Sequence, residues 1–486
     1  MFDRHLTKWA RRAAWVICAF WLMAAALPVG AQDAAPQKQP EQGVNEDDLF
    51  STDEIQETPP TPKTPQGRAD DEMFGADDSI VNIQEKTDAS VGNLINQESV
   101  SFSGELSAKF GASLLRDYLD GDLDFEDNPY NTSIEGDFLL DIRLREGVKA
   151  FGDMWLSYSP QLNESHENAA NGEESAAADE PEDFDSEIKE LFLDVNIKQK
   201  VYFRGGKQTL KWGRGYFWNP TDVINEDRKS FSDMDARLEG TYGLKMHVPF
   251  GATYNIYGFA NFDNAENLTE VATAGKFEFL LPNDVEMAVS AWQKKGYKPV
   301  FGLDFATYKW YTSFRGELSL SNGSNRRKAN ADADGNVVKL ERSDDWTPRF
   351  CFGATKSFDF KNYNDRISVT GELYYDHDGY DDNLLDENTR AAFLDGGYYQ
   401  ANYYGKYYAA LFTTVAKFFS SDVTFNLNAI ANVSDSSWLL MPGIVYEITN
   451  KATLSLDLTG HFGEDGREYT FGGQAVDLQF RVDLAF

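Results

Sequence analysis

The sequence predicts an all-β fold, a transmembrane antiparallel β-barrel of about eighteen strands (16–18) behind a disordered N-terminal segment. Strict alternation is the first observation behind this. The final stretch "VDLQFRVDLAF" puts Val476, Leu478, Phe480, Val482, Leu484 and Phe486 on one side, and Asp477, Gln479, Arg481, Asp483 and Ala485 on the other. A period of two belongs to a strand with one apolar and one wet face. The second observation is at the other end: Arg4, Lys8, Arg11 and Arg12, then the apolar run "AAWVICAFWLMAAALPV", then small residues up to Ala31. This is the pattern of a secretory signal peptide, residues 1–31. Composition is the third. Mean hydropathy is -0.49, too polar for helical spans, yet aromatics reach 14% and glycines number 38. An exported chain of this kind suits strands that alternate lipid-facing apolar with lumen-facing polar residues.

Residues 32–95 read as an acidic, disordered periplasmic segment, because acids far outnumber bases and scattered prolines interrupt any regular element. The stretch 72–86 within it is a candidate to dock on the barrel. Residues 96–486 are assigned to the barrel, and both termini to the periplasm.

The strands follow in order. Val100, Phe102, Leu106 and Phe110 alternate with Ser101, Ser103, Ser107 and Lys109, and Ile134, Phe138, Leu140 and Ile142 alternate with Glu135, Asp137, Asp141 and Arg143. Val423, Phe425 and Leu427 alternate with Thr424, Asn426 and Asn428 in the same way. Segments of this kind centre near residues 105, 138, 153, 192, 204, 243, 256, 275, 289, 304, 316, 353, 371, 410, 428, 443, 457 and 480, with weak alternation near 204, 256 and 410. Connectors alternate in length. Short turns such as "REGVK", "KQK" and "LPND" take every second place, and long acidic loops near 113–130, 161–187, 211–235, 322–346 and 377–400 fill several of the others. Short periplasmic turns and long external loops are the barrel arrangement. An arginine or lysine facing mid-bilayer lipid costs roughly 2–4 kcal/mol. Lys109, Arg143, Arg315, Arg366 and Arg481 are therefore expected in the lumen, where the strand phase puts them.

Phe486 with Phe480, Val482 and Leu484 resembles the C-terminal signature read by the barrel assembly machinery of Gram-negative bacteria. The stretch "GGKQTLKWGRGYFWNPTDVIN" is similar to a strand-and-loop signature of poorly characterised outer-membrane porin-like families. The resemblance implies localisation in the outer membrane, with outer-membrane lipid and the assembly machinery as partners, while the dense negative charge of the long loops suits bridging to lipopolysaccharide through divalent ions.

The loop after the strand near 204 carries Trp212, Tyr216, Phe217 and Trp218, too many aromatics for a loop left in water. It is expected to fold inward, with Asn219-Pro220 turning the chain. The expected constriction comprises Arg204, Trp212, Arg214, Tyr216, Trp218, Asp222, Arg228 and Lys229, the bases and acids forming a transverse field. In "NADADGNVVKLE", Asn330, Asp332, Asp334 and Glu341 reproduce the ligand spacing of a calcium loop, so a weak Ca²⁺ site is the one cofactor expected.

A net charge of -34 excludes nucleic acid as partner. His247 and His461 fall in the polar phase of their strands and read as lumen-lining side chains, so no enzyme is expected. The sequence thus points to an outer-membrane channel for passive diffusion of small polar or amphipathic solutes. The alternative is a structural or adhesive surface barrel with a closed pore. Solute identity and oligomeric state are left open.

Overall fold

A computed structural model describes residues 99–486, apart from 117–129, 145–146, 160–183, 211, 225–230, 232–237, 252, 332–336, 341–343, 361–362, 382–384 and 386–388. The expected boundaries at 31 and 95 and the stretch 72–86 lie outside the described residues.

Within this set, eighteen strands form one closed antiparallel sheet. They are β1 (Ser99–Leu115), β2 (Tyr130–Arg143), β3 (Lys149–Tyr158), β4 (Phe184–Ile197), β5 (Val201–Gln208), β6 (Thr241–Phe250), β7 (Tyr254–Asn261), β8 (Ala272–Leu281) and β9 (Val285–Gln293). After β10 (Val300–Lys309) and β11 (Thr312–Asn322), a small hairpin of β12 (Ala329–Ala331) and β13 (Val337–Lys339) stands apart from the sheet. The sheet resumes with β14 (Trp346–Phe360) and β15 (Tyr363–Asp376), and a short helix α1 (Arg390–Asp395) follows in the next loop. It ends with β16 (Tyr407–Val415), β17 (Val423–Asn432), β18 (Ser437–Thr449), β19 (Ala452–Phe462) and β20 (Gln474–Ala485). Each of the eighteen expected centres falls inside one of these strands, which decides the count at eighteen. The three-residue strands and α1 are too short to leave a period in the sequence.

Neighbours in the ring are neighbours in the chain, and β20 closes onto β1 with Lys109 opposite Arg481 and Phe110 opposite Phe480. Closure matters because an open sheet edge leaves unpaired N–H and C=O groups that lipid cannot satisfy. Phe486 completes the seam: its N–H donates to the Gly104 carbonyl at 3.0 Å. Its ring lies 5.8 Å from that of Phe102 and 6.2 Å from that of Phe138. A Cβ on Gly104 would strike this ring and the Asp137 carbonyl, so the close approach requires glycine. The β10–β11 turn is a two-residue hairpin with both φ angles positive, at Trp310 and Tyr311, the geometry that matches strand twist.

The outward phase is apolar and uncovered, with Phe102 and Ile134 each 60% exposed and Leu191, Phe301 and Leu456 exposed likewise. Such a band is incompatible with water and suits lipid. The inward phase is polar. Lys109 Nζ lies 3.0 Å from Glu135, Arg143 lies 3.3 Å from Asp141, and Arg481 lies 3.1 Å from Asp483. Arg366 donates to the carbonyls of Ala416, Lys417 and Phe418 in the turn after β16.

Placing Arg at Leu456, outward and central in β19, is expected to destabilise the barrel by about 2–4 kcal/mol in lipid vesicles. Placing it at Thr459, opposite Asp477 on the lumen face, is expected to cost less than about 1 kcal/mol. Urea unfolding of the two variants measures the difference.

Candidate functional site: an inward loop and its vestibule

The chain leaves β5 at Gln208, and residues 212–224 and Phe231 pack inside the lumen. Leu210, Trp212, Phe217, Trp218, Ile224 and Phe231 are all buried, Trp218 completely. A segment folded across a pore has backbone amides to satisfy, and two wall carboxylates receive them. Glu317, on the lumen face of β11, accepts from the Arg214 N–H, from Gly215 N–H at 2.6 Å, and from Thr221 N–H at 3.1 Å and its hydroxyl at 2.7 Å. Glu372, on β15, accepts from the N–H groups of Tyr216, Phe217 and Trp218 at 2.6, 3.1 and 2.7 Å. Gly213 has no room for a Cβ beside the Glu317 carboxylate.

The aromatics then pack on the wall instead of standing free. Trp218 stacks on Tyr374 with centroids 5.5 Å apart and planes at 10°, and Tyr216 meets Phe412 at 4.8 Å. Trp212 joins Tyr257 and Phe259 of β7 on the other flank. Arg315 lies over the Tyr216 ring at 5.9 Å. Asp222 closes the turn after Pro220: its N–H donates to the Asn219 carbonyl at 3.0 Å, and its Oδ1 accepts from Ile224 N–H at 3.2 Å.

Charges of the expected constriction are engaged with the wall. Arg214 donates to Asp304 at 2.7 Å, Glu286 at 2.5 Å and Glu278 at 3.3 Å. Lys276 joins this group, 3.0 Å from Glu278 and donating to the Trp212 carbonyl at 2.8 Å. Three carboxylates against two cations leave this flank negative, so Arg214 serves as a strut rather than as the free positive side of a transverse field. Arg204 on β5 makes a two-pronged bond with Asp194 at 2.7 and 2.8 Å and lies over the Phe192 ring at 3.8 Å. Arg228 and Lys229 lie outside the described residues, as do Asp332, Asp334 and Glu341 of the calcium spacing. Asn330 is on β12 opposite Val338. His247 bonds Asn255 at 3.1 Å and His461 bonds Asp477 at 2.6 Å, both in the polar phase.

The β15–β16 and β19–β20 loops also hold the inward loop. The Trp218 indole N–H donates to the Asn402 carbonyl at 2.9 Å, and Asn402 N–H donates to Glu468 at 2.8 Å. Glu468 also accepts from the Tyr408 hydroxyl at 2.7 Å and the Asn432 amide at 2.8 Å, while its own N–H donates to Asp435 at 2.8 Å. Beside the turn at 219–224 lies a cavity of about 280 Å³, bounded by Asn219, Trp292, Arg326, Arg349, Tyr374 and Asp376 among others.

Sequence reasoning found the loop but missed its anchors. No local signal singles the anchors out: the tripeptide Gly-Glu-Leu stands at 316–318 and 371–373 but also at 104–106, each time with the acid in the lumen phase.

Glu372→Ala orphans three buried amides at about 1–3 kcal/mol each. Hydrogen exchange over residues 216–218 is expected to accelerate at least about tenfold, and Glu372→Gln, which keeps one acceptor, to fall between. Burial, reinforced by Asp435, raises the Glu468 pKa from 4.5 to about 8 against the three hydrogen bonds that favour its ionised form. Its folded pKa lies above the ordinary value, so the stability it contributes is complete below about 4.5 and is lost as pH rises through about 8. Protection of the Asn402 amide, corrected for intrinsic exchange, is expected to fall between about pH 4.5 and 8 in the wild type and to stay level in Glu468→Gln.

No family model matches the chain, and no curated protein does. Among solved structures, its backbone is similar to that of Acinetobacter baumannii OccAB1, with a TM-score of 0.48 at 10% identity over 80% of this chain and 96% of that one. It is similar also to Pseudomonas aeruginosa OccK8 (OprE), with a TM-score of 0.47 at 10% identity over 80% and 98% of the two chains. A BenF-like porin from Pseudomonas fluorescens Pf-5 gives a TM-score of 0.48 at 10% identity over the same shares, 80% and 98%.

Proposed function

We propose that this protein is an outer-membrane channel through which small polar or amphipathic solutes diffuse passively, with the 209–240 loop as its constriction. The observation that carries the reading is the fixed inward loop. Its amides are held by Glu317 and Glu372, inside a barrel that is apolar outside and lined with paired charges within. A barrel that served only as a surface scaffold would gain nothing from a loop pinned across its lumen. At a constriction, solvent is thin and fixed charges act over short range, so polar groups of a solute align between the Arg214 cluster and Arg315. Apolar parts pass along the half-buried Tyr216. The Phe486 seam supports insertion through the barrel assembly machinery, since the terminal strand is also the closing strand.

Planar-bilayer recording of the full chain tests this. Steady open steps are expected, and deletion of residues 216–227 is expected to enlarge them while the barrel still folds. A folded barrel that stays electrically silent in both forms overturns the reading in favour of a closed surface barrel.

A further inference from the structure

The vestibule beside the inward loop is bounded by residues whose polar atoms lack hydrogen-bond partners within the protein. Tyr374 is 3% exposed, and its hydroxyl has no hydrogen-bond partner in the protein. Asn219 Oδ1 is buried and likewise lacks a hydrogen-bond partner, and Arg326 Nη1 has no hydrogen bond beside its 3.6 Å ion pair with Asp376. All three residues bound the same cavity of about 280 Å³. Leaving such groups unmatched is costly, so the convergence of their residues on one cavity points to a ligand that matches them.

The kind of ligand follows from the donor and acceptor pattern. Tyr374 can donate or accept, Asn219 Oδ1 accepts, and Arg326 Nη1 donates. A group that both donates and accepts, a hydroxyl, fits this mixed set better than a carboxylate, which only accepts. The charges around it nearly balance: Arg326 lies 3.6 Å from Asp376, and Lys294 and Arg349 stand with Asp378 along the same wall. That field gives a free anion or cation little net attraction. Trp292 and Tyr297, their rings 5.9 Å apart, offer apolar faces for the C–H side of a ring. The volume is at the lower end of small-molecule pockets.

We infer that the vestibule is a binding site for a neutral, hydroxyl-rich ring compound of about monosaccharide size, held before it passes the inward loop. The inference rests on the channel reading for the passage step, though binding is measurable without it. Orientation follows from the same contacts, with hydroxyls towards Tyr374 and Asn219 and the ring's apolar face towards Trp292.

Calorimetric titration of the full chain in detergent micelles with D-glucose, D-glucuronate and benzoate tests the site. Glucose is expected to bind weakly and more tightly than either anion. Tyr374→Phe, which keeps the ring on Trp218, is expected to weaken glucose about fivefold, the worth of one hydrogen bond. Trp292→Ala is expected to weaken it as well. Absence of glucose binding, an anion bound in preference to glucose, or an unchanged affinity in Tyr374→Phe overturns the inference. Bilayer recording separates the two readings. Glucose binding to a folded barrel that never conducts leaves the site standing and removes the channel. Conductance without glucose binding does the reverse.

Discussion

Two carboxylates organise the lumen. Burying an ionisable group away from water is costly unless hydrogen bonds replace its hydration, and Glu317 and Glu372 are among the most buried side chains in the molecule, at 3% and 2% exposure. What replaces water is the backbone of the inward loop. Six N–H groups, from Arg214 to Thr221, point at the four carboxylate oxygens, and charge-assisted bonds of this kind are about twice as strong as neutral ones. The dependence is mutual. The loop cannot cross the lumen without acceptors for its amides, and the acids cannot stay buried without the loop.

Much of the wall follows from that exchange. With the loop pinned, Trp218, Phe217 and Phe231 must meet apolar partners, and the lumen face of β15 to β18 supplies Tyr374, Tyr408, Phe412 and Met441. On the opposite flank β7 supplies Tyr257 and Phe259 to Trp212 and Ile224. Where they meet the loop, β7 and β16 are apolar inside and outside alike. Weak alternation near residues 256 and 410 thus reports the interior core under the loop, whereas near 204 it reports a local irregularity at Gly206, with φ of 132°.

The fold was legible because lipid and water impose opposite demands on adjacent residues, and that period survives in Val476 to Phe486 as plainly as in Val100 to Phe110. The inward loop was legible from its aromatics and from Asn219-Pro220, since neither suits a solvated loop. What holds the loop was not. A glutamate in the lumen phase looks the same in sequence whether it meets water or an amide 96 to 156 residues earlier in the chain. Arg214 misled for the same reason. Its charge was visible, but the three acids that neutralise it come from three later strands, at Glu278, Glu286 and Asp304.

The spacing between the loop and its anchors also orders events in time. The loop precedes Glu317 and Glu372 in the chain, and the seam that closes the ring joins Ser107 to Asp483, 376 residues apart. Contacts of such separation form late, because the intervening chain must first be confined. During assembly the loop therefore has no carboxylate to receive its amides until β11 and β15 have taken their places. The wall must precede the inward loop, and a growing barrel is empty before it is crossed.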